Sequence, residues 1–126
     1  MREAVLVMTG GALGALCRYG TTLLSARLWG TNFPWGTLAV NWAGCFLIGV
    51  AFGLADYRNV MNPSARLFFV TGFLGALTTF STFAFETVLY ARPGMAHLAL
   101  ANFFAHNVGG LALVFAGIAL VRALLY

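Results

Sequence analysis

Long apolar runs alternate with short polar connections along this chain. The runs cover Ala4–Leu28, Gly36–Leu54, Leu67–Tyr90 and His97–Leu124. They are continuous, with no alternation of apolar and polar residues, so they read as helices rather than as strands of a barrel. About 20 helical residues cross a hydrocarbon core about 30 Å thick, and each run matches that length. Between the first two lie Trp29, Pro34 and Trp35, the amphipathic aromatics and helix-starting proline of a membrane interface. The stretch Asp56–Arg66, with Asn59, Asn62 and Pro63, predicts a solvated loop, and Arg92-Pro93-Gly94 predicts a turn. The pattern therefore predicts one all-α transmembrane domain over residues 1–126, with four spans and no room for a soluble domain.

The third run breaks the apolar rule. Its segment Gly72–Thr87 reads GFLGALTTFSTFAFET and holds Thr78, Thr79, Ser81, Thr82, Thr87 and Glu86. At about 100° per residue these groups spread over more than half the helix circumference, so no lipid-facing side hides them. Back-bonding to the preceding turn accounts for one or two hydroxyls, but not for all. Gly72 and Gly75 invite the backbone to leave the helix within the run. Unwound backbone at membrane depth needs protein or a cavity around it, and freed carbonyls there commonly hold cations.

Other polar residues sit singly. Thr37, Asn41 and Gly44 share a face of the second run, as do Asn102, His106 and Gly109 in the fourth. Asn41 suits either an interhelical hydrogen bond or a donor facing a wet pathway. His106 fits a hydrogen-bonded core histidine better than a metal ligand. Arg18 lies deep in the first run and either snorkels, pairs, or meets an anion. Gly10/Gly14 and Gly49/Gly53 have the spacing that brings helices into close contact in lipid.

Composition narrows the class. Of 126 residues, 61% are hydrophobic and 8% charged, with a mean hydropathy of +0.89. The net charge is +4, and the basic residues are scattered arginines, which gives no support to nucleic-acid binding. Cys17 and Cys45 form no CxxC pair and read as small core hydrophobes. The N-terminus has the look of a signal peptide with a lipidation site at Cys17, but Leu16 suits cleavage poorly, so it is taken as the first span. Both termini and the second loop share one side, with Arg2, Arg58, Arg66 and Arg122 against Arg27 and Arg92 on the other. So weak a positive-inside bias permits insertion in both orientations, and hence an antiparallel homodimer.

Three motifs, GGALGALCRY (Gly10–Tyr19), GTLAVNWAG (Gly36–Gly44) and above all TGFLGALTTFSTFAFET (Thr71–Thr87), resemble the Fluc/CrcB family of fluoride channels. The resemblance runs nearly end to end. It implies a dual-topology antiparallel homodimer with a broken third helix and two fluoride pores, in a prokaryotic inner membrane. It implies passive export of cytoplasmic fluoride and no enzymatic activity. It also implies a structural sodium ion at the dimer interface, held by the backbone carbonyls of Gly75 and Thr78, and no organic cofactor. By the same resemblance Phe80 and Phe83 are the pore phenylalanines, Asn41 the pore amide, and Ser81 and Thr82 part of a hydroxyl track. Thr37 and Thr79 join that set, and Arg18 and Glu86 match charged positions of the family. Relatives often carry a serine near Gly110; here Asn102 or His106 is positioned to replace it.

The physical chemistry agrees. Fluoride is strongly hydrated, and hydroxyls and an amide replace its water group by group. Aromatic edges are partially positive and face an anion without the grip of a full cation. A small four-helix multidrug or cation transporter of dual topology is the alternative. That class wants an acid deep in the first span, where this chain has only Glu3 at the membrane edge. A hydrolase built on Ser81, Glu86 and His106 lacks any GxSxG or HExxH motif.

Overall fold

A computed structural model describes residues 1–58 and 61–125, without the side chains of residues 56–58. Asn59, expected in the second loop, lies outside the described residues. No strand occurs among the described residues. The described residues form four helices, with the third in two pieces. We label them α1 (Arg2–Trp29), α2 (Trp35–Arg58), α3 (residues 63–77), α4 (Phe80–Tyr90) and α5 (Ala96–Leu125). Among the described residues three segments are long and apolar enough to cross a membrane: Trp35–Ala55, Pro63–Tyr90 and Ala96–Leu125. The helix α1 has comparable length but is less apolar, because Arg18, threonines and glycines interrupt it. Leu16, Phe85, Val88, Phe115 and Leu124 point outward and are exposed, as expected where lipid replaces water.

Two expected boundaries move. The helix α2 continues to Arg58 instead of ending at Leu54. The third run starts at Pro63, because Asn62 caps it: its side-chain oxygen accepts from the Ala65 N–H at 2.8 Å. Asparagine at the cap with proline at the first helical position is a strong start signal. Arg66 is therefore helical, with its guanidinium 5.3 Å above the Phe52 ring.

Small residues set the packing. A Cβ on Gly10 or Gly14 would collide with the carbonyl oxygens of Phe68 and Phe73, so α1 and α3 touch backbone to backbone. The facing stretch Leu67–Leu74 is wound as a π-helix, an unusual length for that geometry. A Cβ on Gly49 or Gly117 would likewise strike the carbonyls of Val114 and Phe46, which seats α2 on α5. Val40, Leu74 and Leu77 form the buried centre, with Leu47, Ile48, Phe69 and Phe73 packed around it.

The third run does break, though not at its glycines. Gly75 is helical, with φ −61° and ψ −33°. The chain leaves the helix at Thr78 (φ −84°, ψ 158°) and stays extended at Thr79 (φ −152°, ψ 112°). Gly72 serves close packing instead, with a notional Cβ 2.8 Å from the Val7 carbonyl oxygen.

Candidate functional site

A side chain from a neighbouring helix holds the break. The Thr79 N–H donates to Asn41 Oδ1 at 2.8 Å, and Asn41 Nδ2 donates back to the Thr79 carbonyl at 3.1 Å. One amide thus satisfies both polar groups of an extended peptide at membrane depth, where an unpaired group is costly. Thr79 then starts α4: its hydroxyl accepts from the Thr82 N–H at 3.2 Å. The same hydroxyl lies 3.2 Å from Ser81 Oγ and 3.0 Å from Thr82 Oγ1.

These bonds have a consequence for the carbonyls upstream. In a continuous helix the Thr79 N–H would bond the Gly75 carbonyl, and the Thr82 N–H that of Thr78. Both donors are committed elsewhere, to Asn41 and to the Thr79 hydroxyl. The Gly75 and Thr78 carbonyls are therefore deprived of their helical partners.

The hydroxyls divide into two groups. Thr78 and Thr87 back-bond to the Leu74 and Phe83 carbonyls at 3.0 and 2.8 Å. Thr79, Ser81 and Thr82 form the cluster at the break. Thr78 also presses its methyl against Gly44, where any Cβ would overlap it.

Two cavities flank the break. One, of about 400 Å³, is lined by Asn41, Thr78, Thr79, Phe80, Phe83 and His106. The other, of about 350 Å³, is lined by Arg18, Thr37, Thr79, Thr82 and Glu86. Thr79 borders both. Phe80 and Phe83 meet edge to face, with ring centroids 5.5 Å apart. Phe80 is 77% exposed and Phe83 only 7%, so one ring is free to face a partner and the other is fixed. His106 packs on Phe83 with ring centroids 4.5 Å apart and planes tilted by 33°.

Below Phe83 the polar groups Thr37 and Asn102 are buried, and Glu86 and Thr87 are half-buried. Thr37 Oγ1 donates to Glu86 Oε1 at 2.7 Å, while Glu86 Oε2 is buried without a partner. Asn102 is 0% exposed. It donates to Thr87 Oγ1 at 2.8 Å and to the Phe83 carbonyl at 3.5 Å, and its own oxygen is unpartnered. Asn102 lines neither cavity and ties α5 to α4.

The structure thus gathers Asn41, Thr79, Phe80, Phe83 and His106 around one space, and Arg18, Thr37, Thr82 and Glu86 around the other. Ser81 touches the cluster through Thr79, while Gly75 lies in the last helical turn and Thr78 at the break itself, both lining the first cavity. Sequence reasoning missed Trp42. Its indole N–H donates to the Ala105 carbonyl at 2.9 Å, beside a π-turn at Ala105–Gly109. Cys45, expected as a small core hydrophobe, is half-buried and lines the first cavity. An indole on the same helix as Asn41, in an otherwise apolar run, was the available signal for Trp42.

Apolar helices with exposed hydrophobic faces, together with a span broken around polar groups, define a multi-pass integral membrane protein of the transporter and channel class. The family model described as "CrcB-like protein, Camphor Resistance (CrcB)" matches residues 5–118. The chain belongs to the CrcB family. Among similar proteins, one from Rhizobium etli is 45% identical over 98% of this chain and 99% of its own length. One from Agrobacterium fabrum is 47% identical over 98% and 99%. One from Salinibacter ruber is 45% identical over 93% and 87%. Each is named "Fluoride-specific ion channel FluC".

Proposed function

We propose that this protein is a fluoride-selective channel that lowers cytoplasmic fluoride by passive export. The observation that carries the reading is the cavity at the break, where the Phe80 and Phe83 rings meet beside the Asn41 amide and the Thr79 hydroxyl. Relatives named as fluoride-specific channels over nearly the whole chain support it.

In this reading a fluoride ion exchanges water for donors in sequence. Ser81, Thr82 and Thr79 offer hydroxyls, Asn41 offers its remaining N–H, and Phe80 and Phe83 offer ring edges. None is a full cation, so each grip is weak enough to release. Arg18, beside Glu86 in the second cavity, draws anions toward the pathway from a distance. Glu86, held by Thr37, tempers that attraction.

Four apolar helices scarcely enclose a pore, and Phe80 faces outward. The proposal therefore includes a second, oppositely inserted copy that completes two pores. It includes a structural sodium ion between the copies. The Gly75 and Thr78 carbonyls suit a hard cation, since their helical donors are bonded elsewhere, and such carbonyls are the usual ligands for sodium in broken membrane helices.

The test is efflux from liposomes reconstituted with the protein and loaded with potassium fluoride, read by a fluoride electrode. Rapid fluoride release with chloride retained is the expected result. Equal chloride release, or no anion release, would overturn it. A C-terminal tag reachable from both sides of the membrane in one population would support dual insertion; access from one side alone would refute it.

A further inference from the structure

His106 is a half-buried titratable ring in the wall of the first cavity, and the π-turn fixes its aim. Trp42 holds the turn through the Ala105 carbonyl, and Gly109 leaves room for the indole, since a Cβ there would come within 2.8 Å of it. His106 Nδ1 lies 3.0 Å from the Asn102 carbonyl oxygen. A carbonyl only accepts, so Nδ1 carries the hydrogen. In the neutral ring the lone pair is then on Nε2, which is buried without a hydrogen-bond partner. Its backbone neighbour is the Thr37 carbonyl, another acceptor. Burial works against a charged ring, but a proton on Nε2 would turn its lone pair into a donor toward an acceptor, and an anion in the cavity offsets the cost of the charge.

We propose that His106 Nε2 is a proton-binding site in the wall of the pathway, and that a proton there and a fluoride beside Phe83 strengthen each other's binding. The imidazolium places a positive charge beside the Phe83 ring, with the two ring planes tilted by 33° and their centroids 4.5 Å apart. It stays beside that ring, so it tightens the anion site without replacing its ligands. Opposite signs at close range in a poorly screened site favour joint occupancy.

The other ionisable groups around it are few. From α2 comes the Cys45 thiol, in the same cavity. From α4 comes Glu86, joined to the site through Thr37, whose hydroxyl bonds the acid while its carbonyl faces the ring. From α1 comes Arg18, across the second cavity. The α3 segment beyond Arg66 carries none, and on α5 His97 and Arg122 lie toward its two ends. Glu86 favours the proton and Arg18 opposes it.

The inference rests on the channel reading, and its test separates the two. Fluoride efflux from reconstituted liposomes is measured between about pH 8 and about pH 5.5, the range in which histidine changes charge, with protein-free liposomes fixing the leak of hydrofluoric acid. At limiting fluoride the wild type is expected to gain flux several-fold on acidification, with a one-proton slope. His106→Gln flattens the profile, and Glu86→Gln keeps it but moves it to lower pH. In parallel, nitrogen NMR of the ring in the full-length protein is expected to show Nδ1 protonated throughout. It is also expected to show Nε2 titrating at higher pH in potassium fluoride than in potassium chloride.

Identical pH profiles for wild type and His106→Gln overturn the proposal. So does a response lost in Glu86→Gln but kept in His106→Gln, which places the proton on Glu86. An Nε2 titration indifferent to fluoride overturns it too, and that measurement decides should His106→Gln fail to fold. Normal but pH-independent flux removes the proton site and leaves the channel. Absent flux with a fluoride-sensitive Nε2 removes the channel and leaves the site.

Discussion

The two sides of the Thr78–Thr79 break solve the same problem in opposite ways. Both belong to one apolar stretch, and both must bury their inward face. Upstream, α3 packs chiefly on α1, and the contact is backbone on backbone through Gly10, Gly14 and Gly72. Its hydroxyls are Ser64 and Thr71, and Thr78 at its end bonds back to the Leu74 carbonyl. Downstream, α4 packs chiefly on the start of α5. There the contacts are polar: Thr37 on Glu86, and Asn102 on Thr87 and the Phe83 carbonyl. Close packing gives rigidity without chemistry. Polar packing gives chemistry, at the cost of buried groups left short of partners. The break lies where the rigid half hands over to the polar half.

The largest effect should come from removing the clamp between them. Asn41→Leu leaves the Thr79 N–H and carbonyl without partners. Each such loss costs about 1–3 kcal/mol, so thermal unfolding in detergent should show a loss of about 2–4 kcal/mol, allowing for relaxation. Fluoride flux should fall to background, because the cavity loses both its amide and its shape. An unchanged melting temperature would mean that the break is held by something other than this amide.

Next in size is an attack on the upstream side alone. Gly14→Leu forces a side chain into the Phe73 carbonyl and the Leu77 N–H. Overpacking of this kind costs about 1–3 kcal/mol. Thermal stability should fall while the folded fraction still conducts. Loss of conduction per folded protein would show that the rigid half takes part in permeation.

How much of this contrast was legible beforehand follows from the range of the forces. The helices are visible in the sequence because burial in lipid acts on runs of neighbouring residues. The hydroxyl excess after Gly75 is visible for the same reason. The position of the break is not. Glycine content pointed to Gly72–Gly75, yet the break follows the reach of Asn41, which is 38 residues away in the chain. The π-winding of Leu67–Leu74 was equally hidden, since it accompanies close carbonyl contact with another helix. Spacing placed Asn102 and His106 on one face. It said nothing of Thr87 as the partner of Asn102, or of Phe83 as the ring beneath His106. Thr37 and Glu86 were each noticed, and their bond was not, because it joins two helices.

A change on the downstream side should alter transport with little change in stability. Phe83→Ile keeps an apolar side chain of similar bulk but removes the ring edge. Aromatic contacts of this kind contribute about 0.5–1.5 kcal/mol, which corresponds to a fall in flux of up to about tenfold. His106 would lose its stacking partner, so the melting temperature should drop only slightly. Flux equal to wild type would remove the phenylalanine edge from the mechanism and leave the hydroxyls to carry it.

The finest cut compares two adjacent threonines, one on each side. Thr79→Val removes the cap of α4, whose hydroxyl accepts from the Thr82 N–H, and caps of this kind are worth about 1 kcal/mol. Thr78→Val removes only a back-bond to Leu74 and keeps the methyl that fills the hollow at Gly44. Its effect should stay within about 0.5 kcal/mol. If a sodium ion sits on the Thr78 carbonyl, that carbonyl survives the substitution, and the sodium dependence of stability should survive with it. A Thr78→Val protein as impaired as Thr79→Val would mean that the upstream hydroxyl does more than bond within its helix. The division at the break would then have to be drawn one residue earlier.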